Sequence, residues 1–262
     1  GKVALVAGGS KGIGKAIALA LAREGVDVAI SARSVGPLEE TARELQEQTG
    51  RRIILVPADV TSTEQVDAMV ARTVEALGSL HILVNSAATP GGSAGGRGPI
   101  ASIDDATVME DFDIKFMGAV RCARAAAPHI QSQGWGRIIN ISGHNGRNAG
   151  NISAGARNVA LVHLTRTLAI ELGPYGITVN AIHPGPTRTE RTPEVLADRA
   201  KSEGISIQEA EQRIAAGTTI GRMVDASEIA DLTVFLASDR AAAITGEVIE
   251  ASGGASGRAV RY

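Results

Sequence analysis

The chain has 262 residues, 44% of them hydrophobic and 2% aromatic, with 26 basic against 28 acidic residues and a net charge of −2. This length and apolar fraction suit one large α/β domain with an Ala, Val, Ile and Leu core. The balanced charge, without a basic block, argues against a nucleic-acid partner; no apolar run reaches membrane-spanning length, no signal-peptide pattern is present, and the single cysteine, Cys122, leaves neither an internal disulfide nor a cysteine-cluster metal site, so a reducing cytoplasm is the expected compartment.

Residues 2–7 read as a strand, Gly8-Gly-Ser-Lys-Gly-Ile-Gly14 as a glycine-rich turn, and the apolar pattern through Glu24 as a helix. A helix start carries free backbone N–H groups and partial positive charge, which suit a phosphate, and glycine lets the backbone approach it closely. The spacing is G-x-x-x-G-x-G rather than G-x-G-x-x-G, but it stands in the strand–turn–helix context that phosphate binding needs.

Further strands are expected at 27–31, 52–57, 81–85, 136–142, 177–182 and 247–250, several of them apolar nearly throughout. Helical patterns near 13–24, 37–48, 63–77, 103–127, 153–172 and 226–237 alternate with them. That alternation predicts a single α/β domain over 1–262, a doubly wound parallel sheet of about seven strands with helices on both faces and ligands at the carboxyl ends of the strands. Two segments leave strand ends. The Gly-rich stretch 87–99 borders the crevice as a mobile cover or a plain connection, and 185–217 is long enough to close over a substrate.

Together the glycine turn, Ala58-Asp59-Val60, Leu83-Val-Asn85-Ser-Ala-Ala88, Gly136-Arg-Ile-Ile-Asn-Ile-Ser142, Val179-Asn-Ala-Ile-His-Pro-Gly185 and the helix pattern through Leu172 resemble the short-chain dehydrogenase/reductase family along essentially the whole chain. The resemblance implies a Rossmann-type fold and a nicotinamide dinucleotide. It assigns cofactor contacts to Gly8, Ser10, Lys11, Gly12, Ile13 and Gly14 in the turn, to Asp59 and Val60 after the third strand, and to Asn85 and Ala87 after the fourth. Pro184, Gly185, Thr187 and Thr189 would follow the sixth strand at the nicotinamide amide and pyrophosphate, and Asn158 would stand near the ribose. Asp59 could equally cap the next helix, as could Thr61. The second strand ends in Ser-Ala-Arg33 with no acid to grip a ribose 2′-OH, and Lys11 adds another cation, so NADP(H) is expected over NAD(H).

The family's proton-transfer chemistry is built on Tyr-x-x-x-Lys, and that motif is absent. The only tyrosines are Tyr175 and Tyr262, and no lysine lies between Lys115 and Lys201. One matching of the long helix puts Ala154 and Asn158 at the Tyr and Lys positions; another puts Ile152 at the Tyr. Gly143 stands at the family's Ser and Lys115 at its Asn. Replacement candidates are His144, Lys115 and Ser142, with His183, Asn145, Asn148 and Arg157 as further polar neighbours. No metal-like spacing of His, Asp and Glu occurs. The expectation is an NADP(H)-dependent oxidoreductase with a degenerate active site, acting on a small carbonyl or hydroxyl compound. The alternatives are a redox-inactive NADP(H) sensor or scaffold, or a lyase or hydratase. Small apolar residues in 103–127 and 153–172 exceed what one sheet face needs, so a homodimer or homotetramer is expected.

Overall fold

The computed structural model describes residues 1–89, 94–96, 98–147 and 149–255. In chain order the elements are β1 (Val3–Ala7), α1 (Gly12–Arg23), β2 (Asp27–Ser31), α2 (Val35–Thr49), β3 (Ile53–Leu55), α3 (Thr63–Leu77), β4 (Ile82–Asn85), α4 (Asp105–Phe112), α5 (Gly118–Gln131), β5 (Gly136–Ile141), α6 (Ile152–Leu172), β6 (Ile177–Pro184), β7 (Thr187–Arg188), α7 (Thr192–Glu203), α8 (Ile207–Ala216), β8 (Val224–Asp225), α9 (Ala226–Ala237) and β9 (Val248–Ala251).

Seven strands form one parallel sheet in the order β3-β2-β1-β4-β5-β6-β9. The order runs outward in both directions from the β1–β4 pair. The connections diverge there and leave a crevice at the carboxyl ends of the strands. The pleat sends alternate side chains to opposite faces, and both faces are apolar. Ala4 and Val6 face a core with Ile17, Leu21, Leu38, Ile229 and Leu236, whereas Leu5 and Ala7 face a second core with Val66, Met69, Ile130 and Leu172. Each fully buried Leu or Ile there contributes about 1.5–3 kcal/mol over exposure.

The helical pattern at 103–127 resolves into α4 and α5, joined by a π turn over Asp113–Met117. The wider turn inserts an extra residue into the helical ladder and buries both Ile114 and Lys115. Helix α5 then continues past Pro128, because Ala126 and Ile130, both fully buried, hold its last turn on the sheet. The run at 52–57 narrows to the three residues of β3, an edge strand paired on one side only. A second, two-stranded parallel sheet of β7 and β8 brackets the excursion through α7 and α8 and anchors both of its ends.

Candidate active site

A cavity of about 980 Å³ opens at the carboxyl ends of the central strands. At its first end lies the glycine turn. Gly8 has φ +83°, and a Cβ on it would fall 2.6 Å from the Ala87 backbone nitrogen. A Cβ on Gly14 would fall 2.1 Å from the Gly8 carbonyl, so only glycine lets α1 start this close to the strand. The amides of Gly8 and Gly9 donate to the Ser31 carbonyl at 2.8 and 3.0 Å, and the Thr41 hydroxyl donates to the Ser10 carbonyl at 2.8 Å. Ser10, Lys11, Gly12, Ile13 and Gly14 all line the cavity, and Arg33 lines it beyond β2. The N-cap residue Lys11 makes no side-chain cap. Instead the Gly12 amide donates to both carboxylate oxygens of Glu190, at 2.9 and 3.1 Å. The free amide at the start of α1 thus holds an anionic group, the charge that the helix dipole favours there.

Asp59, Val60 and Ala87 continue the wall, as do Pro184, Gly185, Thr187 and Thr189. Asp59 accepts from the Thr61 amide and hydroxyl at 2.9 and 2.8 Å, while Ser62 caps α3. Burial pulls the Asp59 carboxyl upward, but the Thr61 hydrogen bonds and the charges of Arg33 and Arg121 outweigh it and hold the group below the usual carboxylate range. Asn85 is placed differently from the other expected contacts. It is buried away from the cavity wall and donates to Asn140 Oδ1 at 2.8 Å, and Asn140 donates in turn to Thr165 Oγ1 at 2.9 Å. This chain of amides ties β4, β5 and α6 together.

At the other end the π turn presents Lys115 to the cavity. Its Nζ donates to the Ser142 carbonyl at 2.5 Å. Burial, reinforced by Arg157 and opposed by Asp111, pushes the Lys115 ammonium down to about 7. Asp111 is fully buried; it lies 3.3 Å from Arg157 Nη1 and accepts from the Ser153 hydroxyl at 2.5 Å. Arg157 also donates to the Thr89 carbonyl at 2.7 Å. Ser142 lines the cavity, but its hydroxyl turns to the Asn158 carbonyl at 3.2 Å, and the Asn158 amide donates to the Gly143 carbonyl at 3.2 Å.

His144 and Asn145 also line the cavity. His144 Nδ1 lies 2.9 Å from Glu250 Oε1, and Arg147 holds the other Glu250 oxygen at 2.8 Å. His183 is buried off the cavity wall. Its Nδ1 accepts the Gly143 amide at 3.2 Å, and burial, with Arg147, Lys115 and His144 adding to it against Glu250, pushes it down to about 4, so it is a neutral structural acceptor. Of the two matchings for the missing tyrosine, Ala154 lines the cavity, whereas Ile152 is exposed away from it. Asn148, residues 90–93 and residue 97 lie outside the described residues. Among the described residues no group of three His, Cys, Asp or Glu side chains is arranged to hold a metal.

Asp111, Ser153, Glu190 and Glu250 escape the sequence reading. A signal was present for the first two: Asp111 and Lys115, and Ser153 and Arg157, are each four residues apart on helical patterns and so share a face. Glu190 and Glu250 carry no comparable local signal, because their partners are distant in sequence.

A family described as enoyl-(acyl carrier protein) reductase matches residues 7–256. The NADPH-dependent reductase BacG of Bacillus subtilis is 33% identical over 256 residues, covering 97% of each chain. The 3-oxoacyl-[acyl-carrier-protein] reductase FabG of Staphylococcus aureus is 33% identical over 255 residues, again covering 97% of each chain. Among solved structures, L-sorbose reductase from Gluconobacter frateurii, complexed with NADPH and L-sorbose, superposes with a TM-score of 0.91 at 33% identity, covering 97% of this chain and 96% of that one.

Proposed function

The chain belongs to the short-chain dehydrogenase/reductase family, and from that premise we propose that it is an NADP(H)-dependent reductase of a small carbonyl compound in which Lys115 supplies the proton. NADPH is named for the Bacillus subtilis relative and for the sorbose reductase complex. In this chain Lys11 and Arg33 flank the start of α1, and no acid follows β2, which supports binding of a 2′-phosphate. When bound, the cofactor supplies a hydride to the carbonyl carbon.

The observation that carries the reading is the position of Lys115. It is a 7%-exposed lysine on the cavity wall with Nζ held on the Ser142 carbonyl. Its ammonium delivers a proton to the oxygen that becomes the hydroxyl, and the neutral amine regains a proton from solvent. Asn158 and Asn145 offer amides to the substrate, and His144, tethered to Glu250, orients it. Ala154 leaves room where the family's tyrosine would project. The segment 185–217 covers the substrate, and α5 and α6 pair between copies in a homo-oligomer.

The test is NADPH consumption against a panel of small ketones and aldehydes, with one alcohol formed per NADPH oxidised. The variant Lys115→Met is expected to lose roughly 100-fold or more in kcat while NADPH affinity stays unchanged. Tight NADPH binding with a silent panel would overturn the reductase reading in favour of a redox-inactive sensor.

A further inference from the structure

Glu190 is an acid in the one place where a dinucleotide-binding turn needs an anion to arrive from outside. Both of its carboxylate oxygens accept from the Gly12 amide, at 2.9 and 3.1 Å, at the first residue of α1. This amide is one of the free donors at the start of the helix, and the helix dipole favours negative charge there. The contact joins residues 178 positions apart, so the chain has folded back to make it.

Its geometry is set from behind. Glu190 lies two residues beyond the end of β7, which pairs with β8, and the Thr189 amide donates to Thr192 Oγ1 at 2.8 Å in the turn that opens α7. Gly12, Thr189 and Glu190 all line the same cavity. A carboxylate and a pyrophosphate cannot share one amide, and the like charges of the solvent-exposed Glu190 and the pyrophosphate repel.

We propose that Glu190 is an internal stand-in for the cofactor's pyrophosphate: it closes the turn in the free protein, must be displaced when the dinucleotide binds, and thereby sets cofactor affinity. This rests on the reading of the turn as a dinucleotide site. The device acts on the pyrophosphate, which is common to both nicotinamide dinucleotides. Arg33, by contrast, lines the cavity beyond β2, where on the same reading the 2′-phosphate that distinguishes them would lie. Glu190 therefore governs how tightly the turn binds, and not which dinucleotide it prefers.

The experiment is calorimetric titration of the full chain and of Glu190→Gln and Glu190→Ala with NADPH and with NADH. Removing one charge at an exposed helix terminus predicts a tightening of roughly two- to fivefold. The factor should be the same for both dinucleotides, leaving their affinity ratio unchanged, and Glu190→Ala should match or exceed Glu190→Gln. Unchanged or weaker binding in both variants, with the wild type binding normally, overturns the proposal alone. A tightening confined to NADPH overturns it too, since it would place Glu190 at the 2′-phosphate. If the wild type and both variants ignore both dinucleotides at millimolar concentration, the reading of the turn fails and takes the proposal with it.

Discussion

Lys115 and Arg33 sit at opposite ends of one cavity, and the sign of each charge decides what that end can do. Because burial holds the Lys115 ammonium near 7, the donor form prevails below that pH and is lost above it. Carbonyl reduction should therefore slow as pH rises through about 7, and the reverse oxidation, which needs the neutral amine as base, should quicken over the same range. A pH–kcat profile in both directions checks this; a flat reductive profile across that range would remove Lys115 as donor. At the other end, Arg33→Asp should weaken NADPH by about tenfold or more and NADH far less, because a guanidinium–phosphate contact becomes a repulsion. Equal losses for the two dinucleotides would take the role from Arg33. His144 was legible as a candidate from the turn that leaves β5, and Lys115 from standing where the family carries Asn. Their ranking was not, since it depends on burial and on Asp111, Arg157 and Glu250, which reach them from other elements.

Among the elements, the glycine turn and the π turn do opposite things with backbone freedom. The glycine turn removes side chains so that β1 and α1 meet closely, and Gly14 is its tightest point. Gly14→Ala forces a Cβ to within 2.1 Å of the Gly8 carbonyl. The backbone must shift, with a stability loss of about 1–3 kcal/mol and weaker cofactor binding. Urea denaturation beside NADPH titration measures both; an unperturbed variant would mean that the turn is looser than its geometry implies. The π turn adds a residue to bring a lysine inward. Periodicity read 103–127 as one helix because a single inserted residue shifts the pattern too little to break it, so the existence of a helix there was legible and its bulge was not. Similarly, Asn85 is patterned like a contact residue, but its amide is used to tie β4 to β5.

The whole molecule leaves apolar side chains on the outer face of its longest helix. Val159 is 48% exposed and Ile170 is 81% exposed on α6, and Met109 on α4 is 66% exposed. Exposed apolar side chains of this kind are what the proposed pairing of copies would cover. Size-exclusion chromatography with light scattering should give a mass that is a multiple of the 26.9 kDa chain, and Ile170→Asp with Val159→Asp should lower it. A monomeric wild type would overturn the pairing. No helix among the described residues is long and apolar enough to cross a membrane.

Local pattern was enough to determine the parallel sheet, the glycine turn between β1 and α1, and the expectation of NADP(H). Each rests on neighbouring residues: alternating apolar runs, glycines at short spacing, and an arginine where an acid would stand. Only the tertiary structure decided which polar groups converge. Lys115 meets Ser142 across 27 positions, Arg157 meets Asp111 across 46, and Glu190 meets Gly12 across 178. Desolvation and pairing at such separations come from the crossover connections of the sheet, so no window of sequence contains them.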